Sequence, residues 1–222
     1  MNSISAVLFD LDGTLLDTVP DLVYALNQIR IAESLPEIAV SEIRPIANLG
    51  SKAMVKTAFG IEETDPRFPA MRENFLNLYE KHLADSTQFF PNVENVLAHL
   101  ESNHIPWGIV TNKLTRHALP LLKALQLDHR PACVICGDTL TTFKPDPGPI
   151  RYACGLLNKL PGDCIYVGDA ATDVTASKAA GLKSVVALYG YIHASEDPYS
   201  WKADAYIQDP IELIEWISKV TN

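Results

Sequence analysis

The segment Phe9-Asp10-Leu11-Asp12-Gly13-Thr14-Leu15 ends an apolar run with two carboxylates two residues apart and then a glycine. Strand alternation sends Asp10 and Asp12 to one side, and Gly13 lets the chain turn away. Two acids facing one crevice repel each other unless a cation or a proton lies between them. A second acidic pair ends another apolar run, with Asp169 after Gly168 and Asp173 one helical turn on. If the two strands are neighbours, four carboxylates converge on an oxygen-rich site suited to Mg²⁺, a cation that keeps several waters and is usually shared with phosphate. Thr111-Asn112 stands at a third strand end, and Lys144 precedes Pro145 in a loop. Their hydroxyl, amide and ammonium groups complement the oxygens of a phosphoryl group.

The elements that must carry these residues are legible as short β-branched runs. Ala6–Phe9, 108–110, 133–137, 164–168 and 184–188 are continuously apolar and end in polar residues. Such runs suit strands buried on both faces of a parallel sheet. Helical patterns over 93–100, 117–125, 149–157 and 174–180 alternate with them, which predicts a doubly wound α/β sheet with its crevice at the strands' carboxyl ends. One interval breaks the alternation. Residues 17–81 carry helical patterns, notably 21–31 and 70–83, and are too long for a crossover loop. They are read as a helical cap inserted after the first strand, leaving 1–16 and 82–222 as the core.

The chain has 222 residues, 47% of them hydrophobic, with 18 Lys and Arg against 27 Asp and Glu for a net charge of −9. A chain of this size buries about 70% of its unfolded surface and needs no staples. The acidic balance, without any basic block, argues against a nucleic-acid or membrane surface. The first residues lack the basic region of a secretory signal. No apolar stretch approaches the roughly 18 residues of a membrane span. The four cysteines lack the spacing of a disulfide framework and fit a reducing cytoplasm. Cys133 and Cys136 lie three apart, on opposite faces of a strand, so they are read as core thiols rather than a redox or zinc pair. The six histidines show no metal spacing and are read as surface or satisfied core residues. Nothing in the pattern sets an oligomeric state.

Each piece alone has a plainer reading, since an Asp at a strand end is commonly a turn or cap residue. An EF-hand over 10–21 fails, because Leu15 occupies its glycine position and Asp21 its glutamate position. Taken in order, the four segments resemble the phosphatases of the haloacid dehalogenase superfamily along the whole chain: Asp10 to Leu15, Thr111, Lys144, and Gly168 to Asp173. That resemblance implies a core with a helical cap after the first motif. It implies Asp10 as the nucleophile that becomes an aspartyl phosphate, and Asp12 as the acid that protonates the leaving alcohol and later deprotonates water. Asp10, the backbone carbonyl of Asp12 and Asp169 would hold Mg²⁺, supported by Asp173. Thr111, Asn112 and Lys144 would bind the phosphoryl oxygens. Two departures stand out, with Gly148 where an acid is common and Ser177 where glycine is usual.

Within the superfamily the second acid, Asp12, argues against halide removal. A sugar-phosphate mutase shares these motifs. A phospho-acceptor receiver module also uses acids, a Thr and a Lys, but in a short domain without a helical insertion. The nearest resemblance is to bacterial phosphoglycolate phosphatases and, among them, enzymes acting on N-acetylmuramic acid 6-phosphate. It rests on Gly50 to Phe59, Trp107 to Lys113, and Tyr189 to His193 through Trp201. The implied substrate is a small phosphate ester. Gly50 opens a predicted helix whose amino terminus, with Ser51 and Arg44, is expected to grip a carboxylate.

Overall fold

In the computed structural model, which describes residues 4–221, the five apolar runs become strands, and three further short strands bring the number described to eight. These are β1 (Ala6–Phe9), β2 (Leu16–Asp17), β3 (Gln88–Phe89), β4 (Trp107–Val110), β5 (Val134–Ile135), β6 (Cys164–Gly168), β7 (Lys183–Ala187) and β8 (Ala205–Ile207). Nine α-helices are described: α1 (Val19–Ala32), α2 (Val40–Ile43), α3 (Gly50–Phe59), α4 (Phe68–Lys81), α5 (Val93–Ser102), α6 (Thr115–Ala124), α7 (Gly148–Leu156), α8 (Ala171–Ala180) and α9 (Glu212–Thr221). No helix among the described residues is long and apolar enough to cross a membrane.

Six strands form one sheet in the order β5-β4-β1-β6-β7-β8, and every pairing in it is parallel. The chain leaves β1 toward β4 on one side and later returns to its other side as β6, so β1 sits at the switch point where ligands bind in such folds. Alternation along β1 explains its fully apolar composition. Val7 and Phe9 enter the larger apolar cluster, whereas Ala6 and Leu8 enter the smaller one. Cys136 and Cys133 divide between the clusters in the same way, and all four cysteines are buried and unpaired.

The run expected over 133–137 contributes only two paired residues. β5 is an edge strand, and the Gly137 N–H turns away to the Lys113 carbonyl at 2.9 Å. The acid that follows, Asp138, does not face the crevice. It accepts from the Thr115 backbone N–H at 2.8 Å and caps α6.

Helices α1 to α4 occupy the long interval after β1, where they pack on one another and share an apolar cluster with the sheet. Two ties join the start of that interval to its end. β2 and β3 form a separate two-stranded antiparallel ladder. Asp21, buried in α1, accepts from the Ser86 and Thr87 backbone N–H groups and from the Thr87 hydroxyl, at 2.7–2.9 Å.

Candidate active site

The parallel register of β1 with β6, Phe9 opposite Val167, brings Asp10 beside Asp169. One turn into α8, Asp173 completes the group. Ligand oxygens of Asp10, Asp169 and Asp173 all lie within 4.8 Å of one another, and all three residues are buried. The expected convergence of four carboxylates is therefore corrected to three. The Asp12 carboxylate turns instead to the Lys113 ammonium at 2.9 Å and accepts from the Thr18 hydroxyl.

Gly13 is the residue that makes this packing fit. Its φ is +80°, and a Cβ there would collide with the Asp169 carboxylate and meet the Tyr191 ring. Asp169 is held from several sides: the Thr14 hydroxyl donates at 3.1 Å, the Tyr191 backbone N–H at 2.7 Å and the Asn48 amide at 2.9 Å. Asn48 lies just before α3, so one donor to this acid comes from the helical interval.

Lys144 lies at the centre of the site, 2% exposed. Its ammonium is 2.9 Å from Asp10, 2.7 Å from Asp173, and donates to the Tyr166 hydroxyl at 2.7 Å. Burial works against that charge, but Asp10 and Asp173 outweigh it and hold the lysine above its ordinary pKa. Asn112 shows how this lysine is placed, and it departs from the sequence reading. Its amide donates to the Lys144 carbonyl at 2.9 Å and accepts from the Lys144 N–H at 3.0 Å, so both side-chain atoms hold the lysine's backbone rather than reaching for an anion. Thr111, 4% exposed, follows β4 and lines the same cavity.

The acids carry the cost of this crowding. Burial, reinforced by Asp173 and Asp12 against the opposing pull of Lys144, raises Asp10 to about 7. Burial, with Asp10 and Asp173 adding to it, raises Asp169 to about 8. Both protons are bound more tightly in the folded chain than in the unfolded one, where the value is near 3.8. Folded stability contributed by these groups is thus present at low pH and is lost as pH rises toward 8. In EDTA the melting temperature should be higher at pH 6 than at pH 8. Saturating Mg²⁺ should narrow that difference by keeping the carboxylates ionised. Melting curves at the two pH values check this, and an identical difference with and without Mg²⁺ would contradict a shared cation site.

The donor set fits such a cation: three buried carboxylates, all hard oxygen ligands, opposed by one ammonium. Asp10, Asp12, Thr111, Asn112 and Lys144 open on a cavity of about 330 Å³ whose far wall comes from the helical interval, including Gly50 and Ser51. Arg44 does not join them. It lies in a short 3-10 helix (Arg44–Leu49), where its guanidinium pairs with Asp17 at 2.7 Å and stacks over the Tyr191 ring. The local pitch turns it toward the β2 end rather than toward α3.

Several residues of the cavity escape the sequence reading. Lys113 bridges Asp12 to the Tyr79 hydroxyl, 2.8 Å away on α4, and lies over that ring. The sequence names it only as the end of the resembling stretch Trp107 to Lys113, without a role. Arg72 and His117 also line the cavity. His117 corrects the expectation of surface or satisfied histidines: it is 4% exposed, yet its Nε2 has no hydrogen-bond partner. Burial, with Lys113 and Arg116 nearby, lowers its pKa to about 4, so the ring is neutral. The two departures noted in the sequence are absorbed locally. The buried Ser177 hydroxyl bonds back to the Asp173 carbonyl at 2.7 Å, and the Gly148 N–H donates to Asp146 at 2.7 Å.

Comparison with known proteins agrees with this geometry. Residues 7–187 match the family model of haloacid dehalogenase-like hydrolases. The chain belongs to that family, and it is a hydrolase. It is 36% identical to the N-acetylmuramic acid 6-phosphate phosphatase of Pseudomonas aeruginosa, over 97% of this chain and 96% of the relative. It is 41% identical to a phosphoglycolate phosphatase of Xanthomonas campestris, over 95% of each. Among solved structures, a predicted phosphoglycolate phosphatase of Haemophilus somnus superposes with a TM-score of 0.85 at 28% identity, over 97% of this chain and 99% of the other. A hydrolase of Pseudomonas syringae does so at 0.72 and 26%, over 98% and 100%. Family membership leaves no place for the receiver-module reading.

Proposed function

We propose that this hydrolase is a cytoplasmic, Mg²⁺-dependent phosphomonoesterase that cleaves a small carboxylate-bearing phosphate ester, with N-acetylmuramic acid 6-phosphate as its substrate. The observation that carries the reading is the buried trio of Asp10, Asp169 and Asp173 with Lys144 bridging Asp10 and Asp173, beside a cavity that Asp12 also faces. Asp10 attacks phosphorus in line and becomes the aspartyl phosphate as the alcohol leaves. Asp12, kept out of the trio by Lys113 and Thr18, enters the cycle protonated, gives that proton to the alcohol, and takes one back from the water that then attacks phosphorus, breaking the bond to Asp10 and releasing phosphate. Lys144 and Thr111 offset charge on the phosphoryl oxygens. Mg²⁺ would be held by Asp10, Asp169 and the Asp12 backbone carbonyl, with Asp173 behind them, and supplies charge neutralisation at the phosphoryl group.

Residues 17–81 act as the cap in this reading, closing over the cavity to exclude water and reopening to release products. The β2–β3 ladder, which joins the start of that interval to the segment just after it, supports that reading. 2-Phosphoglycolate is the second candidate substrate, favoured by the likeness to the Xanthomonas relative. Measured side by side, kcat/KM should favour the sugar phosphate by roughly tenfold or more, because the smaller ester forgoes contacts across the cavity. EDTA should reduce either activity to a trace. A clear preference for 2-phosphoglycolate would overturn the substrate, and full activity in EDTA would overturn the metal.

A further inference from the structure

The cavity is lined by three permanently cationic side chains, Lys144, Lys113 and Arg72, and two of them are already paired. Lys144 pairs with Asp10 and Asp173, and Lys113 pairs with Asp12. Arg72, on α4, makes no ion pair among the described residues. Its Nε donates to the Ser51 hydroxyl at 2.8 Å, and its charge is felt by Glu63 only from beyond pairing distance. The acids lining the cavity, Asp10 and Asp12, both belong to the opposite wall. Ser51 sits in the first turn of α3, whose amino terminus adds positive potential to that end. The same cavity also holds a buried polar atom without a hydrogen-bond partner, the Nε2 of His117.

On the reading that the enzyme is a phosphomonoesterase, we propose that Arg72, oriented by Ser51, is the specificity-determining residue that pairs with a carboxylate on the substrate. With Nε fixed by Ser51, the two terminal nitrogens form a fork that matches a carboxylate in a way a lysine cannot. The cavity is thereby polarised. The metal-binding acids and Lys144 take the phosphate at one end, and Arg72 takes the second anionic group at the other. This role replaces the one expected of Arg44, whose charge is consumed by Asp17.

The test compares wild type, Arg72→Met and Arg72→Lys on four esters. N-acetylmuramic acid 6-phosphate and 2-phosphoglycolate carry a carboxylate, whereas N-acetylglucosamine 6-phosphate and p-nitrophenyl phosphate do not. For the carboxylate ester that wild type prefers, Arg72→Met should lower kcat/KM by roughly 10- to 100-fold, mostly through KM, the scale of a charge-assisted contact. Both carboxylate-free esters should stay within about twofold of their wild-type values, and Arg72→Lys should recover only part of the loss. An equal fall on all four esters, or no fall on any, would overturn the proposal while leaving the phosphomonoesterase reading intact. A wild type that prefers a carboxylate-free ester would also overturn it. A wild type inactive on all four would remove the phosphomonoesterase reading itself.

Discussion

Asp10→Asn should leave at most a residual activity, roughly 10⁴-fold or more below wild type, while the protein melts no lower than wild type. The amide is nearly isosteric, but it cannot attack phosphorus, and losing a nucleophile in other hydrolases costs on the order of 10⁶ in kcat. The expectation for stability follows from the crowding of the site. Asp10 is one of three buried carboxylates, and its ionisation is resisted by burial and by Asp173 and Asp12. Removing its charge relieves that repulsion, and Lys144 keeps Asp173 and Tyr166 as partners. In EDTA the variant should therefore melt at or above the wild-type temperature, with the gap widening at pH 8. Single-turnover assays and melting curves on one preparation separate the two effects. Activity within tenfold of wild type would remove Asp10 from the nucleophile's role.

Lys144→Met should have the opposite signature, because it removes the one cation that, among the described residues, pairs with two of those acids. The ammonium is 2% exposed and touches Asp10, Asp173 and Tyr166. Truncating one side of a buried ion pair costs about 3–5 kcal/mol, since the remaining charges stay buried without compensation. For a chain of this length that corresponds to a fall of roughly 10 °C in Tm. Protonation of the acids relieves part of the strain, so the deficit should be larger at pH 8 than at pH 6. Mg²⁺ should return part of the lost stability, as a cation entering the trio takes over the neutralisation. Turnover should fall by roughly 10²- to 10³-fold even with metal, the scale for losing one preorganised electrostatic contact. Urea melts with and without Mg²⁺ check the first claim, and an unchanged midpoint would refute the buried network.

The core of the fold was readable because its strands are buried on both faces. An uninterrupted Ala6–Phe9 followed by Asp-Leu-Asp-Gly can be little else at a parallel strand's end. The acids and Lys144 were readable for a related reason, since their types are unusual at such positions. What stayed hidden depends on side-chain direction and on partners remote in sequence. Nothing local says that Asn112 spends its amide on the Lys144 backbone, or that Asp12 is drawn to Lys113. Nearness to Gly50 in sequence points to Arg44, and nothing local points to Arg72. The 3-10 turn directs Arg44 to Asp17, while the packing of α4 against α3 delivers Arg72 to Ser51. The two-residue strands β2 and β3 lack enough length to show a period, and the terminal β8 and α9 follow loops without a motif.

The placement of β1 between β4 and β6 also dictates when the site can come into being. Asp10 is synthesised before both strands that flank its strand, and Asp169 and Asp173 follow only with β6 and α8. A nascent chain stopped before residue 164 has Asp10, Asp12 and the whole helical interval but neither Asp169 nor Asp173. Repulsion within the trio of Asp10, Asp169 and Asp173 is thus first felt when β4 and β5 are already made. Such long-range closure is slow compared with local helix formation, and fragments ending before β6 should lack the Mg²⁺ binding proposed for the whole chain.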